Sequence, residues 1–147
     1  MTDNTTPMTT QEADWHTDPK LSENWKFRFR FFEKYGAPGA IAAYGGMHSA
    51  EARVALKQLS FGDRVKISSN LYAFFFGFIY YGFFLKLWRQ ALILIAISLV
   101  YGIISSIFDF PDDVDRGVGI AYALVCAYRA NSLYYLKRTR GDIGWTF

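Results

Sequence analysis

The sequence predicts an all-α membrane protein: a transmembrane helical hairpin plus a short aromatic re-entrant or interfacial helix, preceded by a small basic helical N-terminal region. Three observations lead there. Apolar residues make up 52% of the 147 and charged residues 20%, so the two kinds must be segregated along the chain. Most of the charge lies in residues 1–66, and nearly all the long apolar runs lie in 71–136. The breaks between those runs differ in sign, one basic and one acidic, and such bias orients a chain in a bilayer. The formal net charge of +3 is small, and its sign by region is the useful part. Cys126 is the one cysteine, which excludes an internal disulfide framework, and no spaced Cys/His set suggests zinc.

Residues 1–21 read as a disordered polar tail, rich in Thr and acid and without the apolar stretch of a signal peptide. Residues 22–66 read as a cytoplasmic helical region. Ser22 can cap a helix with Glu23 in its first turn, and Gly36 and Pro38 stop it after Tyr35. Phe27, Phe31 and Tyr35 form its apolar stripe, with Phe32 beside them. Lys26–Phe31 also alternates strictly, as a strand would, but the cap and the stop favour helix. Basic residues interleaved with aromatics can bind nucleic acid, yet no nucleic-acid motif surrounds them, so lipid or the protein itself is the expected contact. Residues 37–48 form a small-residue connector. Gly45 and Gly46 are too sparse for a phosphate loop, and His48 has no partner at metal-ligand spacing. Ser49 can cap a second helix to about Leu59, with Glu51 in its first turn and Lys57 in its last. Its stripe is Val54, Leu56 and Leu59.

Residues 67–138 read as the membrane domain and 139–147 as a C-terminal tail. Its first segment, 71–88, is re-entrant, interfacial or a short span; 90–108 and 117–136 are spans. Between Tyr72 and Phe84 stand nine aromatics, and Lys86, Trp88 and Arg89 follow as membrane anchors. The apolar runs 91–108 and 117–136 hold 18 and 20 residues, which at about 1.5 Å per residue reach roughly 27 and 30 Å. A hydrocarbon core is about 30 Å thick. The 15 residues from Leu71 to Leu85 reach only about 22 Å. Charge agrees with length. If all three runs cross, the cations after the first run and the aspartates of 109–115 sit on the wrong sides. If the first run enters and leaves on one side, both termini and every basic cluster are cytoplasmic, and only the acidic turn Asp109–Asp115 is outside. The alternative is a short tilted span held by Lys86 and Trp88.

The two spans are expected to pack as a tight hairpin. Ser98, Gly102 and Ser106 are four apart in one, and Gly119, Ala123 and Ala127 in the other. Small residues at that spacing let helix backbones approach closely in lipid. Pairing about the acidic turn sets Gly102 against Ala123.

The stretch Phe61-Gly-Asp-Arg-Val-Lys-Ile-Ser-Ser-Asn70, then Ala73-Phe-Phe-Phe-Gly77, Tyr80-Tyr81 and Leu87-Trp88, resembles a family of small bacterial inner-membrane proteins classed as a domain of unknown function. Ala130-Asn-Ser-Leu-Tyr-Tyr135 is similar to its second signature. The resemblance covers about residues 59–137 and implies a multi-pass inner-membrane location with no agreed activity. Phe78 stands where that family commonly has proline, so the chain lacks a proline to kink the run after Gly77.

The candidate functional residues are the polar ones at membrane depth. Asn70, Arg129 and Asn131 are expected to form one cluster tying the re-entrant segment to the hairpin. Arg129 lies eight residues before Lys137, near enough to the end to snorkel, and Asn70 can cap a helix. The acidic turn lacks calcium-loop spacing. No catalytic, cofactor or metal residues are assigned, since there is no nucleophile-histidine-acid set, metal motif or nucleotide loop. The expected protein is therefore not an enzyme and carries no cofactor. It is a bacterial inner-membrane structural or interaction protein, either an accessory subunit or an immunity protein against a membrane-acting toxin. The alternative is a component of a small-solute or lipid transport system. Expected partners are the bilayer, with anionic lipid at the cytoplasmic face, and another membrane protein or a second copy, but not nucleic acid.

Overall fold

A computed structural model describes residues 15–37 and 49–147. Among these the chain is all helical: α1 (Glu23–Tyr35), α2 (Ala50–Gln58), α3 (Phe61–Ser68), α4 (Leu71–Ile79), a π-helical turn (Tyr80–Phe84), α5 (Trp88–Phe108) and α6 (Asp112–Arg140). Most of the connector 37–48, with Gly45, Gly46 and His48, lies outside the described residues, as does the tail before Trp15.

Ser22 occupies the N-cap position of α1 but makes no side-chain cap bond, and Gly36 ends the helix at φ 83°. The strand-like alternation has a helical explanation. At 100° per residue, aromatics two apart point to different sides, and α1 packs on two sides. Phe29 joins Trp15 and Leu21, with Tyr134 and Tyr135 of α6 against them. Phe31 and Phe32 join Ala52 and Leu56 of α2 and Ile67 of α3. Residues 15–21, expected in the polar tail, are therefore ordered. Trp15 and Leu21 are each 5% exposed, and Asp18 pairs with Arg138. Two buried apolar side chains outweigh the acidic surroundings.

Ser49 caps α2 by accepting from the Ala52 N–H at 3.1 Å. Helix α3 was not expected as a separate element. Ser60 starts it, accepting from the Asp63 N–H at 3.2 Å and donating to the Asp63 carboxylate at 2.8 Å.

The aromatic run doubles back. It begins with the Asn70 N–H on the Ala127 carbonyl at 2.9 Å. Gly77 then breaks the helix at φ 47°, ψ −125°, and a Cβ built there would lie 3.7 Å from Tyr122 Cε1. On the return, the Tyr81 hydroxyl donates to the Cys126 carbonyl at 2.8 Å, and Lys137 Nζ donates to the Lys86 carbonyl. Measured along α6, the segment moves from Ala127 to Tyr122 and back past Cys126 to Lys137. The return leg covers 15 positions, about 22 Å. Tyr72 stacks on Tyr80 at 5.9 Å between ring centroids, eight residues on, which a straight helix forbids. The kink needs no proline, because glycine adopts this backbone without a Cβ penalty.

Helix α6 starts earlier than expected. The turn is only Asp109–Pro111, with Asp109 left-handed at φ 49°, and Asp112, Asp113 and Asp115 form the first turn of α6. Carboxylates there favour the positive end of the helix. By length and composition two stretches could cross a membrane, Phe61–Phe84 and Trp88–Phe108. The first is not one rod, being broken at Ser69–Asn70 and at Gly77. The run expected to span at 117–136 sits within α6.

The tight α5–α6 hairpin is not formed. The backbones of the two helices hardly approach, and α4 packs most extensively on α6 and also against α5. The fold-back holds the long helices apart over the half nearer α1–α3. Gly102 and Gly119 face open space, Ser98 and Ser106 are exposed, and both serines donate back to carbonyls of their own helix. Ala127 is buried, but beside Asn70 rather than Ser98. Where α5 and α6 do meet, long side chains bridge them. Tyr101 and Ser105 donate to Asp115 at 2.7 and 2.8 Å, and Tyr122 donates to the Leu94 carbonyl at 3.3 Å.

Candidate functional site

Two helix ends need partners where α3 ends and α4 begins, both leaning on α6. The last carbonyls of α3 and the first N–H groups of α4 have no partner in their own helices. Asn131 Nδ2 lies 3.1 Å from each of the Lys66, Ile67 and Ser69 carbonyls. Asn70 Oδ1 accepts from the N–H groups of Tyr72 and Ala73 at 3.1 and 3.3 Å. The two carboxamides then meet, Asn70 Nδ2 donating to Asn131 Oδ1 at 3.1 Å and reaching the Tyr80 hydroxyl at 3.4 Å. Asn70 is 1% exposed and Asn131 0%. The pair thus closes one helix, opens the next and ties both to α6 in a dry place where an unpaired amide would cost about 1–3 kcal/mol.

Arg129 is also buried, but it does not share this face. Two positions from Asn131, it lies about 200° around α6, on the side of Cys126, whose carbonyl accepts from the Tyr81 hydroxyl. The structure therefore brings Asn70 and Asn131 together and sets Arg129 with Tyr81.

A second polar group gathers at the start of α5. Lys86, Trp88 and Arg89 lie against the end of α6 and the residues after it. Arg89 Nη1 holds Asp142 at 2.9 and 2.7 Å, and the Gly144 N–H reaches the same carboxylate at 2.9 Å. The Gly144 N–H and then Arg89 pull the Asp142 carboxyl below the usual carboxylate value. Gln90, 2% exposed, donates to the Gly144 and Thr146 carbonyls at 3.0 Å each. Sequence reasoning missed Tyr81, Gln90 and Asp142. A glutamine at the mouth of an apolar run, with the tail's carboxylate as the arginine's match, is the signal that was there to use. Among the described residues no group of three or more His, Cys, Asp or Glu could hold a metal ion.

Both polar groups, and all the helices that carry them, fall inside the stretch that a family model described as "Protein of unknown function (DUF2628)" matches, residues 8–140, save for the tail residues beyond Arg140. The chain belongs to this family. Within that match the stretches Phe61–Trp88 and Ala130–Tyr135 contain Asn70, Gly77, Tyr81 and Asn131, the residues that start, bend and tie down the fold-back. Among relatives is a protein named "Uncharacterized protein YigF" from Salmonella typhimurium LT2, 34% identical over 138 residues, covering 92% of this chain and 98% of the relative. The Escherichia coli K12 protein of the same name is 35% identical over 133 residues, covering 90% and 97%. No solved structure matches the chain.

Proposed function

We propose that this DUF2628 chain is a multi-pass protein of the bacterial inner membrane, with both termini cytoplasmic and the Asp109–Pro111 turn outside. It acts through its shape and contacts rather than by catalysis, as an accessory or immunity-type interaction protein. One observation carries the membrane reading. In Trp88–Phe108 only 11% of the most apolar stretch is buried inside the protein. Ile97, Leu99, Val100, Ile103, Ile107 and Phe108 are exposed, and a core helix of a soluble protein would hide such a face. A lipid environment covers it at no cost in unpaired backbone, since helices satisfy their own. The fold-back supports the topology, because a segment that returns to its own side keeps Lys86 and Arg89 with Lys137, Arg138 and Arg140. For the interaction role, the support is the exposed small-residue face at Gly102 and Gly119, open to another helix.

The test uses Cys126→Ser with single cysteines placed at Lys86, Asp113 or Thr146. A membrane-impermeant thiol reagent on intact cells should label only the Asp113 position, and permeabilised cells should label all three. Labelling at positions 86 and 146 with 113 protected would establish the opposite threading and sink the proposal.

A further inference from the structure

We propose that the cleft between the start of α5 and the end of α6 binds a phosphoryl anion, and that its occupant is the headgroup of an anionic phospholipid. This rests on the membrane reading above and names a partner for it. The cleft has a volume of about 190 Å3 and is lined by Lys86, Arg89, Gln90, Lys137, Asp142 and Gly144, among others. At about 30 Å3 per water it has room for roughly six waters, or for one phosphoryl group with part of its hydration.

Three cations and one carboxylate line it, and they are not equivalent. Arg89 and the Gly144 N–H are committed to Asp142. Lys86 and Lys137 remain, and neither forms an ion pair at salt-bridge distance among the described residues. They are nonetheless drawn together, since Lys137 Nζ donates to the Lys86 carbonyl. Burial lowers the Lys137 pKa first, the Lys86 charge adds to that, and Asp142 opposes it. An anion lying between the two ammonium groups turns that repulsion into attraction.

The backbone adds an independent mark. Lys86 has φ 55°, one of two non-glycine residues at positive φ among the described residues. Glycine would sit there without strain. A lysine held in that conformation is a residue whose side chain, not its backbone, suits the position. The surroundings choose lipid over a free ion. Trp88, which lines the cleft, is 54% exposed, and its ring meets that of Phe83, 67% exposed, at 5.1 Å between centroids; aromatic side chains next to cations suit the boundary between headgroups and acyl chains.

The experiment follows thermal unfolding of the full chain in dodecylmaltoside with added palmitoyl-oleoyl phosphatidylglycerol, phosphatidylcholine or inorganic phosphate. Phosphatidylglycerol at roughly tenfold over its Kd should raise Tm by about 5 °C, and phosphatidylcholine by less than half of that. Lys86→Gly and Lys137→Gln should each lose more than half of the increment. Lys86→Gly should keep or raise the unliganded Tm, because it also relieves the backbone. Arg116→Gln, an exposed cation at the other end of α6, should keep the full increment. Equal increments in wild type and both lysine variants, or equal protection by phosphatidylcholine, overturn the site. Equal protection by inorganic phosphate overturns the lipid as occupant and leaves a free phosphoryl anion. Carbonate extraction of wild-type membranes reads the underlying assignment separately: release into the soluble fraction defeats the membrane reading, whereas retention with lysine-independent increments defeats the site alone.

Discussion

In α5 and α6, the half beside α1–α3 and the half that ends at Asp109 are built on different terms. In the near half Gln90, Ala91 and Leu94 of α5 and Cys126–Ala127 and Arg129–Leu133 of α6 are buried, and Ala91, Leu94, Cys126, Ala130 and Leu133 share one core with Ala73, Tyr80 and Tyr81 of the fold-back. From Ile97 to Ala121 no residue is buried. Side chains in the near half answer to protein neighbours, down to which carboxamide faces which carbonyl. Those in the far half answer to the medium around them, and Tyr101 and Ser105 on Asp115 tie the two helices there. Small size therefore means different things in the two halves. Ala127 and Ala130 are small because another segment passes close by, whereas Gly102 and Gly119 are small beside nothing in this chain.

The largest test of that contrast is Asn131→Ala. It removes the donor to the Lys66, Ile67 and Ser69 carbonyls and the acceptor for Asn70. Counting one lost bond and one or two stranded buried groups, the expected loss is about 3 kcal/mol, read as a drop in the denaturation midpoint in detergent. A loss under about 0.5 kcal/mol would show that the near half is not held by the carboxamide pair.

Gly77→Ala comes next. Its Cβ meets only an ordinary contact with Tyr122, so the cost is backbone strain at φ 47°, about 2 kcal/mol. Gly102→Ala in the far half should do the reverse, gaining up to about 1 kcal/mol from helix propensity, and Gly102→Leu should be tolerated in the isolated chain. A destabilising Gly102→Leu in a monomeric preparation would mean that α5 and α6 close on each other after all.

The smallest effect is set by pH. Asp142 is held below the ordinary carboxylate value of 3.8 by the Gly144 N–H and Arg89. A depressed carboxylate stabilises the docked tail fully above its unfolded pKa, and that contribution is lost as pH falls through the folded value. Hydrogen-exchange protection at Ile143–Trp145, corrected for the intrinsic rate at each pH, should fall as pH drops below the ordinary carboxylate value, and Asp142→Asn should remove that step. The far half should show no counterpart beyond Asp115, whose carboxyl Tyr101 and Ser105 also hold low.

Much of this was legible where local chemistry decides. Ser49 and Gly36 mark helix ends because their roles depend on neighbours within four residues. Asn70 and Asn131 were legible as a pair because amides in or beside apolar runs must find partners. The fold-back followed from a run too short to cross. The α5–α6 pairing was misread because the spacing of Gly102 and Ala123 says that something fits close, not what. For Ala127 the close neighbour is the Asn70 backbone, and Gly102 has none in this chain. Arg129 was grouped with Asn131 as another polar residue of the same apolar run, although two positions along a helix is nearly its opposite side. Trp15 was hidden among acids and Thr, where composition averages away one large apolar side chain.

The carboxamide bridge also imposes an order in time. Asn70 and Asn131 are 61 residues apart. A ribosome adding roughly 5–20 residues per second makes the second about 3–12 s after the first. Until then α4, nine residues long and too short to hold a helix alone in water, lacks the helix on which it packs most extensively. A segment made earlier is thus completed only by a later one: the docking of the aromatic hairpin on α6 waits on the arrival of Asn131.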